Sequence, residues 1–346
     1  MDSTILLFLL QDGITNGALY GLLGIVTVLV FAVTRIIFVP QGEFVTYGAL
    51  TLALLDTGRV PGTIWLLIGF GVVAFAVELW MSRHDLNARK IVREALIKII
   101  LPCLIALAVI WLAPMKLPPW ANLLITLAII TPMGPYLYTI AFRPVAEASV
   151  LTLFIVAIGV HLSMQGLGLV LFGAEGLRGT PLSTLSLPVG PLVATGQTLS
   201  IYVLTLVTMA ALTYFFNKPL FGKALRATAI NRLGARLVGI RTSLSGAIAF
   251  VLAAIIGALT GALSAPMTTI YYDTGFLIGL KGFIAAIIGS LASYPLTVIA
   301  ALAVGIAEAL ASFYASQFKE VIVFTLIIPV LIWLSLSSHH VEEEEE

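Results

Sequence analysis

GITNGALYGLLGIVTVLVFAVTR, residues 13–35, runs to its final position before a charged side chain appears. As a helix rising about 1.5 Å per residue it reaches about 35 Å, enough to cross a hydrocarbon layer of about 30 Å. A lipid-spanning barrel strand would instead alternate apolar and polar residues over about ten positions. Only helices and closed barrels satisfy their backbone groups in lipid, so this stretch predicts a transmembrane helix.

The pattern repeats outward from there. Further apolar runs predict helices over 42–56, 62–81, 95–113, 120–142, 150–172, 198–216, 244–266, 281–293, 296–316 and 320–337, about eleven crossings in all. The runs at 42–56 and 281–293 are short for a full span and read as partial or tilted helices. Of the 346 residues, 60% are hydrophobic and 10% charged, with a mean hydropathy of +1.09, against about 25% charged in soluble domains. The fold class is therefore all-α, a polytopic transmembrane bundle forming one domain over 1–346. A net charge of +1 gives no reason to expect nucleic acid. The single cysteine, Cys103, excludes an intramolecular disulfide and reads as a small apolar residue. The N-terminus lacks a basic start and a small-residue cleavage site, so its first apolar run reads as a retained membrane helix.

Basic residues mark the cytoplasmic side of a membrane protein. Arg83, Arg89, Lys90, Arg93 and Lys98 form one cluster, and Lys218, Lys223, Arg226, Arg232, Arg236 and Arg241 a second. Threading eleven spans puts both on one side with Arg35 and Arg143. The loops at Asp56, Lys116 and 173–197 fall on the other. This predicts the N-terminus outside, the C-terminus in the cytoplasm, and residues 338–346, with His339, His340 and the Glu342–Glu346 run, as a disordered acidic cytoplasmic tail.

A connection between packed helices needs about 2 to 8 residues, yet the segment 217–242 is far longer. Ala224, Leu225, Ala227, Ala229 and Ile230 precede an Asn231–Arg232 turn. Leu233, Leu237, Val238 and Ile240 follow, with Gly239 as a helix stop. Two short helices with an apolar face each make a knob for a groove in a partner; the alternative is a basic segment lying at the anionic leaflet. The residues assigned to docking are Gly222, Lys223, Leu225, Arg226, Ala227, Asn231, Leu233, Gly234, Leu237 and Gly239.

This segment resembles the coupling motif of ABC importer permeases, in the form carried by the high-affinity branched-chain amino acid permease family. Asn16-Gly17-Ala18-Leu19-Tyr20-Gly21-Leu22, Gln41-Gly42-Glu43-Phe44, Phe142-Arg143-Pro144 and Gly305-Ile306-Ala307-Glu308-Ala309-Leu310 follow in the same order. The resemblance implies a bacterial inner-membrane subunit that itself is not an enzyme and binds no cofactor. It implies a second homologous permease subunit, two ATPase subunits carrying ATP and Mg²⁺, and a periplasmic substrate-binding protein. Relative to the family, residues 64–113 look like an extra helix pair, and Gly289–Pro295 replaces a more glycine-rich turn.

No G-x-x-x-x-G-K-[ST] stretch, H-E-x-x-H pair, Cys/His cluster or G-x-S-x-G elbow occurs, so neither nucleotide-phosphate nor catalytic chemistry is written in the chain. His161, alone in an apolar helix, reads as a packed or pore-facing residue. Short helices in corresponding halves point to a transporter site. Gln41, Gly42, Glu43, Phe44 and Tyr47 on one, and Lys281, Gly282 and Phe283 on the other, are the pathway candidates, with Phe44, Tyr47, Phe276 and Phe283 the apolar neighbours expected to line a path for an aliphatic or aromatic side chain. Glu43 and Lys281 stand near the expected first turns, with Gly42 and Gly282 beside free backbone N–H groups that suit a carboxylate. Glu308 joins them because a mid-helix carboxylate costs about 2.5 to 3.5 kcal/mol against lipid. The expected substrate is a branched-chain or other apolar amino acid. A permease for urea, short amides or aromatic or aliphatic carboxylates, and a self-contained channel or secondary transporter, are the rival readings.

Overall fold

A computed structural model describes residues 3–83, 87–189, 192–326 and 328–332. Helices α1 (Ser3–Thr34), α2 (Gln41–Asp56) and α3 (Thr63–Met81) are followed by α4 (Ala88–Ala95) and α5 (Leu101–Leu112), then α6 (Pro119–Ile130), α7 (Met133–Leu137) and α8 (Val150–Phe172). The second part holds α9 (Gly196–Asn217), α10 (Leu220–Ile230), α11 (Arg232–Leu237), α12 (Thr242–Ser264), α13 (Thr274–Ile288), α14 (Tyr294–Tyr314) and α15 (Lys319–Thr325). Among the described residues, eight helical stretches are long and apolar enough to cross a membrane, and α13 is a shorter apolar helix. The polytopic helical bundle expected from the sequence is what the chain forms.

α1 packs antiparallel on α14 through small residues. A Cβ on Gly17 would stand 2.8 Å from the Leu302 Cα, and one on Gly305 would stand 2.7 Å from the Gly17 Cα. Such close backbone approach is the main source of attraction between helices in lipid, where no hydrophobic drive remains. α2 lies inside the bundle, with Glu43, Phe44, Tyr47 and Thr51 all fully buried. α8 instead buries one stripe, Leu153, Ala157, His161, Met164 and Gly168, at helical spacing. Its other face, including Leu151, Ile155, Leu162 and Val170, is exposed as a lipid-facing surface requires.

Three boundaries differ from the sequence reading. α1 starts at Ser3 rather than 13, because Gln11 and Asp12 are carried within an otherwise apolar helix. α13 covers Thr274–Ile288 instead of 281–293; the Thr274 hydroxyl accepts from the Tyr271 N–H and opens it early, and Ser290 and Leu291 with positive φ end it. Strands β1 (Ser186–Val189) and β2 (Leu192–Thr195) pair antiparallel in the long loop before α9, where only a loop is expected. The expected span at 320–337 begins as α15, and its part beyond 332 lies outside the described residues, as does the tail 338–346.

Basic residues gather at one end. Arg143 follows a π-helical turn, Tyr138–Phe142, and Lys98 stands within another, Leu96–Ile100. These turns aim both cations at the buried Glu78 of α3: Lys98 Nζ is 3.1 Å away and Arg143 closes on the same oxygen. At the opposite end Asp56 accepts from Asn122 at 2.8 Å and from the Thr180 hydroxyl at 2.7 Å.

Candidate functional site

α2 does not begin at the end of the bundle. The Gln41 amide donates to the Ala253 carbonyl at 3.0 Å, and Ala253 lies halfway along α12. The connecting residues Ile36 and Phe38 are buried on the way in. α13 starts at the same depth: the Gly275 N–H donates to the Thr46 hydroxyl at 2.9 Å. The two glycines permit the meeting, since a Cβ on Gly42 would overlap the Gly275 carbonyl and one on Gly275 the Gly42 carbonyl. Two shortened helices, 16 and 15 residues long, thus turn their N-termini toward each other in the interior, each end carrying about half a positive charge.

A carboxylate and an imidazole stand beside this junction. His161 of α8 places Nδ1 2.9 Å from Glu43 Oε1, a close contact without the alignment of a full hydrogen bond. Phe276, in the first turn of α13, stacks on the imidazole at 4.5 Å. Glu43 is fully buried, yet its Oε2, like Oε1 of Gln41, has no hydrogen-bond partner among the described residues. Buried polar atoms are almost always paired, so unpaired acceptors mark a place able to take a donor. Behind them the Tyr47 hydroxyl donates to the Met164 carbonyl at 2.5 Å and fixes α8 against α2.

A second polar cluster, deeper along α13, is closed around Glu308 by contrast, although Glu320 Oε2 has no partner among the described residues. Lys281 Nζ donates to Glu308 Oε1 at 2.5 Å and to Glu320 Oε1 at 3.1 Å, and the Tyr20 hydroxyl donates to Glu308 Oε2 at 2.5 Å. Four helices, α1, α13, α14 and α15, are tied by that one carboxylate–ammonium pair. Among the described residues no group of three His, Cys, Asp or Glu side chains stands close enough to hold a metal ion.

Residues 9–331 match the family described as the permease component of the branched-chain amino acid transport system. The chain belongs to this family. It is 28% identical over 354 residues to the high-affinity branched-chain amino acid transport system permease protein LivH of Escherichia coli (strain K12), covering 96% of this chain and 95% of that protein. LivH of Salmonella typhimurium (strain LT2) is 34% identical over 204 residues, 56% of this chain and 65% of that one. BraD of Pseudomonas aeruginosa is 28% identical over 232 residues, 62% and 70%. No solved structure matches the chain.

Within this permease the pathway candidates separate into two places. Gln41, Gly42 and Glu43 meet at the junction, while Phe44 turns away into an aromatic core with Phe38 at 5.9 Å. Lys281 is not in a first turn, because α13 starts earlier; it and Glu308 belong to the closed cluster. Gly282 packs on α1, a Cβ there standing 3.3 Å from the Gly24 nitrogen, and Phe283 is half-buried. Thr46 and Gly275 enter the site unannounced, whereas Phe276 was expected along the path and His161 stood out by its isolated polar character within an apolar helix.

The segment 217–242 folds as α10 and α11. Asn231 caps α11, its Oδ1 accepting from the Gly234 N–H at 2.8 Å, and Gly239, with φ of 87°, ends it. Leu225 and Thr228 face the bundle, and Gly222 lies against the end of α9 at Phe215. Leu233, Leu237 and Val238 point outward, and Ala227 is half-buried beside the exposed Arg226.

Proposed function

We propose that this permease subunit carries branched-chain and similar apolar amino acids through the junction of α2 and α13, driven by ATP hydrolysed on separate subunits. The observation that carries the reading is the pair of short-helix N-termini meeting beside an underpaired buried carboxylate. Discontinuous helices with N-termini near mid-membrane are how several transporters hold anionic substrate groups. An amino acid is a zwitterion, and the junction offers both complements: the unpaired Glu43 oxygen for the ammonium, and the helix N-terminal dipoles with the His161 imidazole for the carboxylate. Phe276 supplies an apolar wall. The names of LivH and BraD, which specify branched-chain amino acids, support the same substrate class.

In this reading the basic end is cytoplasmic, the N-terminus lies outside, and the membrane is the bacterial inner membrane. The exposed apolar tips of α10 and α11 dock on an ATPase subunit, a second homologous permease completes the conduit, and a periplasmic binding protein delivers substrate. ATP and Mg²⁺ belong to the partners.

The test is reconstitution in vesicles with its candidate partners, measuring ATP-dependent uptake of labelled leucine. Gly234→Trp or Ala227→Glu is expected to leave the permease inserted but to abolish co-purification of the ATPase and uptake together, since an unpaired charge buried in an interface is costly. Uptake by the chain alone, or unchanged coupling in both variants, overturns the reading.

A further inference from the structure

Two openings lie side by side at the basic end of the bundle. The first is an apolar groove of about 950 Å³ between α1, α9, α10 and the start of α14, walled by residues such as Ile25, Leu29, Met209, Phe216, Leu225 and Val298. The second, about 740 Å³, is polar and lies under α10 and α11. They adjoin, since Ala32, Val33, Arg35, Val150, Ala229 and Ile230 line both.

Their chemistry differs along one axis. Among the described residues lining the polar chamber stand three guanidiniums, Arg35, Arg232 and Arg236, and one carboxylate, Glu147. Glu147 is taken by Arg236 at 3.0 Å. Arg232 gives Nη1 to the Ala146 carbonyl at 3.3 Å, but its buried Nε has no partner. Arg35 holds a left-handed backbone, φ 59°, rare for a residue with a side chain, and faces both openings. Arg226 stands at the mouth of the groove, held by Asn217 at 3.0 Å.

The groove's length along α1, from Ile25 to Arg35, is about ten residues or about 15 Å. That is about half of the hydrocarbon thickness of about 30 Å, hence one leaflet. We infer that the adjoining openings hold one anionic phospholipid, its acyl chains in the groove and its phosphate among Arg35 and Arg232. A soluble anion would have no use for the groove, and an apolar partner helix none for the guanidiniums. The occupant would lie against Leu225 and Ala229 of α10, so it supports the α10–α11 element from the membrane side.

The test uses the full-length chain in mixed micelles containing phosphatidylglycerol and phosphatidylcholine in equal amounts, with retained lipid counted by native mass spectrometry. One phosphatidylglycerol is expected to be retained in preference to phosphatidylcholine. Arg35→Gln with Arg232→Gln should weaken its retention about thirtyfold, the equivalent of two surface cation contacts. Arg35→Lys with Arg232→Lys should keep most of it. Ala229→Trp, which fills the groove and spares the arginines, should also abolish retention; Ala292→Leu at the opposite wall gives the same reading if the tryptophan variant does not fold. Elution and melting behaviour identify variants that fold. Equal retention of both lipids in every variant, displacement by inorganic phosphate, or exclusion of lipid by a co-purifying permease subunit would each overturn the inference.

Discussion

The permease buries two groups of ionisable side chains, and they are built on opposite plans. At Lys281, Glu308, Glu320 and Tyr20 every strong donor is matched to an oxygen, and four helices are clamped by the result. At the α2–α13 junction a fully buried carboxylate has one loose contact, a free oxygen, and a neighbouring amide oxygen also unpaired. Pairing of both Glu308 oxygens serves rigidity, and breaking it exposes a charge to a medium that cannot solvate it. Incomplete pairing at Glu43 has a standing cost that a visiting polar group would remove. The contrast separates the two better than burial does, because Glu43, Lys281 and Glu308 are all buried.

The largest effect expected from this contrast is at the fastening. Lys281→Met should destabilise the permease by about 3 to 5 kcal/mol, since it strands Glu308. Lys281→Met with Glu308→Leu should recover most of that loss. Both are read as melting of the purified protein in detergent. If the single variant melts like the parent, the cluster is no fastening.

At the site the expectation reverses. Glu43→Gln should leave melting nearly unchanged, because no well-formed bond is lost. The leucine concentration for half-maximal uptake should rise about thirtyfold or more, corresponding to about 2 kcal/mol or more for a severed charge pair. A melting loss as large as that of Lys281→Met would erase the distinction between the two clusters.

The smallest effect sharpens how the junction is held. Thr46→Val removes the acceptor for the Gly275 N–H and should cost about 1 kcal/mol. Hydrogen exchange at Gly275 should rise with it. Exchange unaffected by the change would mean that packing, rather than this bond, aligns the two N-termini.

Much of this was legible in the chain. The apolar runs located the helices, α2 almost to the residue, because continuous hydrophobicity bounded by Pro40 and Asp56 leaves few other placements. Asn231 and Gly239 announced the cap and stop of α11 through local chemistry alone. The start of α13 was missed because Gly282 looks like a punctuation mark, whereas it is a packing surface for α1. The partners of Glu43, Lys281 and Glu78 were invisible for a different reason. Each lies on another helix far away in sequence, and pairing across a bundle depends on the relative rotation of helices, which hydropathy does not encode.

The Arg143–Glu78 contact carries a consequence for how the helices of residues 64–113 are tied to the rest of the chain. Glu78 lies inside that helix pair, while Arg143 lies in the Phe142-Arg143-Pro144 block beyond it. Lys98 is also within the pair and would leave along with Glu78. Excising the pair would therefore strand a single cation at a helix end built to face an acid. A residue outside the pair thus depends on one within it, and the two segments act as one electrostatic unit that can be changed only together.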